Sequence, residues 1–84
     1  MNNFIIRKIM VTASYLPLVS PKLTASVTIS CPPTNTASVL FRGDDGSDVP
    51  WLPGEWHEFR SIDLSELQIK GNAGDSVTVI GGTW

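Results

Sequence analysis

Alternation of apolar and polar residues is the clearest pattern along the chain. In the segment KLTASVTISC, residues 22–31, threonine and serine side chains fall on one face of an extended backbone. The other face carries only apolar side chains: Leu23, Ala25, Val27, Ile29 and Cys31. A period of two with many β-branched residues is typical of a β-strand that buries one face. The pattern predicts a strand here, ended by Pro32 and Pro33, which offer no backbone donor.

Shorter segments with similar patterns predict further strands. They are ASVLF at 37–41, residues 56–59, LQIK at 67–70 and SVTVI at 76–80. Turn signals separate them, among them Pro53 followed by Gly54 and the run GNAGD at 71–75. Five to seven short strands, with turns about every ten residues, predict an all-β fold. We expect a small antiparallel β-sandwich or a jelly-roll-like barrel.

The first segment, NFIIRKIMVTAS at residues 3–14, differs because apolar residues occupy both of its faces before it turns polar. A strand with this pattern is expected to be covered on each side, either within its own domain or by another subunit. We therefore predict that Phe4 and Ile6 contribute to an interface between chains.

The chain of 84 residues is long enough for one small domain spanning residues 1–84. A domain of this size buries only about 60–65% of the surface that its unfolded chain exposes. Its single cysteine cannot form an internal disulfide, and no Cys/His pair has metal-ligand spacing. Oligomerisation is the remaining common source of stability for a small domain, so we expect a homo-oligomer.

The net charge and the N-terminal sequence limit which binding partners and which cellular compartment we expect. The formal net charge is -2, and the six basic residues are scattered, so we expect neither a nucleic-acid nor a membrane partner. Arg7 and Lys8 precede an apolar stretch as in a signal peptide, but Thr12, Ser14 and Pro17 interrupt that stretch. We predict a protein made in the cytoplasm without an export signal.

The segment FRGDDGSD, residues 41–48, admits three interpretations. Some proteins bind integrins through Arg-Gly-Asp, and an acidic run can hold calcium, but an EF-hand loop opening at Asp44 would need glycine where Val49 stands. A looser cation site on these carboxylates stays open. Asp, Gly and Ser between apolar strands are the residues that a hairpin requires. We favour a hairpin whose exposed tip presents Arg42, Asp44, Asp45 and Asp48.

No group of residues predicts a catalytic site. His57 lies between Trp56 and Glu58, but neighbouring strand residues point to opposite faces, which separates the imidazole from those side chains. Cys31 continues the apolar face of its strand and is expected to be a small buried hydrophobe. No G-x-S-x-G nucleophile elbow is present. We expect no enzymatic activity, no cofactor and no metal.

Three tryptophans are many for so small a domain to bury. Aromatic anchors concentrate at protein interfaces, so we predict that Trp51, Trp56 and Trp84 contribute to an interface. Stacking of a sugar or another receptor ligand on an exposed indole is the alternative, with Asp48 or Glu55 as polar partners.

Residues 33–82 combine an Asn-containing turn before a strand (PTNTASVLFRG), a polar hairpin, LPGEW, IDLSELQIKG and a closing GDSVTVIGG. This succession resembles the small β-rich structural proteins of tailed bacteriophage virions, such as head decoration or cement proteins and head-fibre or spike accessories. The resemblance implies a β-sandwich or jelly-roll-like unit that assembles with itself and binds a capsid or other virion protein. It implies a location in the virion and carries no individual binding residue with it.

Overall fold

The computed structural model describes residues 3–20 and 22–83. Eight strands and one short 3-10 turn make up its regular structure. The strands are β1 (Asn3–Met10), β2 (Leu16–Pro17), β3 (Thr24–Ser30), β4 (Val39–Arg42), β5 (Val49–Trp51), β6 (Trp56–Asp63), β7 (Gln68–Lys70) and β8 (Ser76–Thr83). The 3-10 turn, Leu64–Glu66, begins where Asp63 accepts a hydrogen bond from the Ser65 backbone N–H. Within the described ranges, no helix is long and apolar enough to cross a membrane.

The strands form two antiparallel four-stranded sheets. The first sheet has the order β1-β8-β3-β6, and the second has the order β2-β7-β4-β5. The predicted all-β sandwich is thus confirmed, although eight strands exceed the expected five to seven. The two unexpected strands, β2 and β5, each contain a proline and lie at the edges of the second sheet. An edge strand tolerates proline because one side of its ladder is unpaired.

The core lies between the sheets and draws on both. β3 alternates between buried and half-buried residues, as predicted, with Ile29 fully buried. The other completely enclosed side chains come from both sheets and the 3-10 turn: Val39, Leu64, Val77 and Val79. Each large apolar side chain buried in this way favours folding by about 1.5–3 kcal/mol.

Trp51 belongs to this core rather than to the surface. Its side chain is only 6% exposed. The ring stacks on Phe41 with centroids 3.8 Å apart, and the His57 ring meets it edge-on at 4.6 Å. The prediction of an interface at Trp51 needs correcting, because the second sheet turns this indole inward.

A buried carboxylate joins the segment before β4 to the start of β8. Asp75, which is 4% exposed, accepts hydrogen bonds from the Thr36 backbone N–H at 2.9 Å and from the Thr36 hydroxyl at 3.0 Å. Asn35 adds a reciprocal pair with Ser76, since its Nδ2 donates to the Ser76 carbonyl and its Oδ1 accepts from the Ser76 N–H. These bonds satisfy backbone groups where the chain crosses between sheets.

Candidate functional site

The outer face of the first sheet, the side turned away from the core, carries an uncovered apolar group on β1 and β8. Phe4 is 93% exposed, Ile6 71%, and Met10 and Ile80 51% each. Ile6 and Ile80 are cross-strand partners, so their side chains are neighbours on this face. We call these four side chains the apolar patch.

The patch follows from the two-faced apolar pattern of β1. Ile5 points inward and is 3% exposed, whereas its neighbours Phe4 and Ile6 point to solvent. The core of this chain therefore covers only one face of the strand. Covering of the other face by a second chain stays a prediction, and Phe4 and Ile6 are placed where such a contact needs them.

Polar residues occupy the rest of the outer face. Thr28 lies beside Ile80 in the register of β3 with β8, and it is paired on its other side with Glu58 of β6. Trp56, also on β6, is paired with Ser30 and is 56% exposed. Its interface role stays a prediction, and it stands at the opposite edge of the sheet from the apolar patch.

Both edges of the first sheet offer an unpaired backbone ladder. Among the residues that the structure describes, β1 pairs with β8 alone, and β6 pairs with β3 alone. Each of these edge strands is eight residues long. Long open edges are templates for pairing with another strand, which natural proteins usually shorten or block.

His57 and Glu55 form a pair that the sequence argument missed. His57 Nε2 lies 2.7 Å from Glu55 Oε2, and Glu55 Oε1 accepts a hydrogen bond from the Leu52 N–H. The pKa of Glu55 is lowered because the imidazole bonds its charged form. Two residues along an extended chain share a face, so the spacing of His57 and Glu55 was the available signal.

The acidic segment after β4 is a hairpin loop, as predicted. β4 and β5 pair in register, with Phe41 opposite Val49, and Gly46 adopts a φ of 76°. Asp45 accepts a hydrogen bond from the Ser47 backbone N–H, which lowers the pKa of Asp45. Such local bonds are typical of a turn. Asp44 and Asp45 are exposed at its tip.

Arg42 and Asp48 both form side-chain contacts beside the tip; Asp48 is exposed, as predicted, whereas Arg42 is only partly exposed. The Arg42 guanidinium lies 3.8 Å from the Tyr15 ring centroid and donates to Gln68 Oε1 at 3.0 and 3.1 Å. The Tyr15 hydroxyl donates to Asp48 Oδ1 and, through this bond above all, the pKa of Tyr15 is raised. These contacts tie the Arg-Gly-Asp segment to Tyr15, the residue before β2, and to Gln68 on β7, which an integrin-binding loop would not require.

An open cleft of about 660 Å³ lies beside the hairpin loop, between β6 and the 3-10 turn. Phe59, Ile62 and Leu67 give it an apolar floor, and Asp63 lies at its wall. Asp63 is already engaged, because its Oδ1 accepts bonds from Ser65 N–H and Ser65 Oγ. Those bonds lower the pKa of Asp63, and through them its carboxylate caps the 3-10 turn.

Nucleophile and metal chemistry find little support in the described part of the chain. Cys31 is 1% exposed, and burial raises its pKa to about 11, whereas a reactive cysteine needs an accessible thiolate. No three His, Cys, Asp or Glu side chains within residues 3–20 and 22–83 come together as a metal site. Trp84 lies outside the described residues, so its predicted interface role stays a prediction.

No protein-family model matches the sequence, and no curated protein matches it either. Among solved structures, the chain is similar to a crystal structure of an RmlC-like cupin protein from Desulfovibrio desulfuricans, with a TM-score of 0.61 and 17% sequence identity. The similarity covers 94% of this chain and 72% of the other. At this identity the likeness concerns the fold alone, since one fold hosts many functions. The chain therefore has a two-sheet β-sandwich architecture like that of the cupin protein.

Proposed function

We propose that this chain is a non-enzymatic structural protein of a bacteriophage particle, which assembles with itself and binds the capsid or another virion protein. The observation that carries the proposal is the apolar patch. Phe4 at 93% exposure and Ile6 at 71% would be costly to leave in water throughout the protein's life. Placement in a virion rests on the resemblance of residues 33–82 to phage structural proteins.

The dimensions of the outer face suit a modest interface. An eight-residue strand is roughly 26 Å long, so β1 and β8 together present on the order of 250 Å². Because the Lys8–Thr78 pair shares this face with the apolar side chains, burying that area would contribute less than about 6 kcal/mol before the costs of association. All four strands offer roughly 500 Å², which approaches the ~800 Å² per partner of a standard interface once the sheet edge is added.

A structural role also agrees with the bonds that the titratable side chains already form within the chain. Asp63 caps a turn, Asp75 holds the segment before β4, and Glu55 binds His57. Asp63 does bond the Ser65 hydroxyl, but in the described part of the chain no histidine bonds that serine as its base, as acyl transfer would require.

The first experiment measures mass by light scattering across a range of protein concentrations. We expect an oligomer that the double substitution Phe4→Ser with Ile6→Thr converts to monomer, because it removes the two most exposed members of the apolar patch. Leu52→Ser is the matched control, since Leu52 is 63% exposed in the turn before β6, outside the patch. Thermal melting of each variant verifies folding. A wild-type chain that stays monomeric and fails to bind phage capsids refutes the proposal.

The alternative, a module that stacks a sugar on tryptophan, rests on one exposed indole among residues 3–20 and 22–83. Trp56 is 56% exposed, whereas Trp51 is in the core. A glycan array comparing the wild type with Trp56→Ala tests it directly. Binding that disappears in the variant would establish the alternative, and an array without signal for the wild type would remove it.

A further inference from the structure

We infer that copies of this chain join edge to edge, with β1 of one copy pairing antiparallel with β6 of the next, so that their first sheets become continuous. The inference rests on the proposed self-assembly and specifies its geometry. The occupant of each open edge is thus a second copy of the chain. Three properties of the edges carry it: strand direction, charge and the position of the exposed apolar side chains.

Strand direction permits this pairing without reorienting the sheets. The first sheet has four strands that alternate in direction, so its two edge strands, β1 and β6, run in opposite directions. A second copy in the same orientation brings its β1 antiparallel to β6 of the first. The outer faces of both sheets then lie on the same side, which keeps inner and outer residues in phase.

Charge distinguishes the two edges. β1 carries Arg7 and Lys8 and no acidic residue, whereas β6 carries two acidic residues, Glu58 and Asp63, and one basic residue, Arg60. A register that sets Lys8 opposite Glu58 forms an ion pair across the junction, and such cross-strand pairs are favourable. The regular part of β6, residues 56–59, then faces residues 7–10 of the neighbouring β1.

The same register brings apolar side chains together. When Lys8 lies opposite Glu58 in an antiparallel pair, Met10 lies opposite Trp56. Both side chains are more than half exposed in the single chain, at 51% and 56%. A methionine against an indole is a favourable contact. The ladder would thus cover Trp56 and one member of the apolar patch, and it would extend the patch along the assembly.

Pairing of β1 with β1 across a two-fold axis is the competing arrangement, and it forms no ion pair because β1 has no acidic residue. A centre on Arg7 places two guanidinium groups opposite each other, and a centre on Ile5 sets Arg7 opposite Asn3 of the other copy. Centring on Ile6 leaves the two Arg7 side chains as diagonal neighbours about 7–8 Å apart. Like charges at such a short distance destabilise a ladder. The β1–β6 contact is heterologous, so repetition gives a ring or a filament rather than a closed dimer.

The experiment reverses one charge at each edge. Lys8→Glu alone and Glu58→Lys alone should each weaken self-association about tenfold, because an attractive pair becomes a repulsive one. An equimolar mixture of the two variants should recover most of the wild-type mass, since every junction in an alternating assembly again pairs Lys with Glu. Sedimentation velocity measures the mass distributions, and circular dichroism verifies that both variants fold.

Matched controls carry the same charge changes elsewhere: Lys22→Glu, and Glu66→Lys in the 3-10 turn. Both control sites are exposed, and neither change should alter the mass. Self-association that Glu58→Lys leaves unchanged would overturn the β1–β6 ladder while leaving self-assembly intact. A mixture that does not recover the wild-type mass would also overturn the β1–β6 ladder. A wild-type monomer at every concentration would overturn the ladder and, if capsid binding is also absent, the proposed function.

Discussion

Gly81 lies where β3 and β8 of the first sheet leave no space for a side chain, and replacing it tests the packing directly. It is paired with Val27 on β3 and with Ile5 on β1. A Cβ at position 81 would lie 2.6 Å from Val27 Cα and 2.8 Å from Val27 Cγ1, and it would also contact the Ser26 carbonyl oxygen. Two of these three neighbours are backbone atoms, so β3 and β8 would have to separate.

The expected cost of Gly81→Ala follows from that contact. Overpacking typically costs about 1–3 kcal/mol, and the rigid backbone neighbours place this case at the upper end. The lower entropy of the unfolded alanine chain offsets about 0.4–1 kcal/mol. We expect a net loss of about 2 kcal/mol in the free energy of unfolding. For a domain of 84 residues this corresponds to a melting temperature lower by roughly 10 °C.

The assay is thermal and urea unfolding followed by circular dichroism, with Gly43→Ala as control. A Cβ at Gly43 meets nothing within 4 Å, and the residue lacks a left-handed φ. That variant should melt within a few degrees of the wild type. Equal stability of the two variants would refute the close approach of β3 and β8.

Two further predictions concern groups buried at the ends of the sheets. The Thr36 backbone N–H lowers the pKa of Asp75 below its ordinary 3.8, so the stabilisation is complete above that pH and is lost as pH falls through the lower folded-state value. Asp75→Asn should lower the urea midpoint at neutral pH and flatten its acid dependence below about pH 4; an unchanged acid profile would contradict this role. Cys31, with a pKa of about 11, should react with a thiol reagent at pH 8 only as fast as the chain unfolds. Rapid labelling of the native protein would show that the thiol is accessible.

Local pattern predicted the strands that bury one face. β3 was recognisable because its apolar residues alternate without interruption, and the β4–β5 hairpin was recognisable from the Asp and Gly residues between two apolar runs. β2 and β5 escaped prediction because their backbone pairs with a neighbouring strand despite Pro17 and Pro50. Proline marks a poor strand in isolation, yet an edge position requires bonds on only one side.

For the candidate site, the sequence alone showed that apolar residues occupy both faces of β1, and it predicted that Phe4 and Ile6 are covered by another chain. It did not determine that Trp51 is inside while Trp56 is outside, because the two indoles differ only in which sheet and which face receives them. The sequence also did not predict contacts between distant segments, such as the Arg42 guanidinium on the Tyr15 ring and the hydrogen bond from Thr36 to Asp75. Periodicity describes one strand at a time, whereas the order β1-β8-β3-β6 places Lys8 on one open edge and Glu58 on the other. Only the tertiary structure decides which strands become edges, because that depends on pairing between residues far apart in the chain.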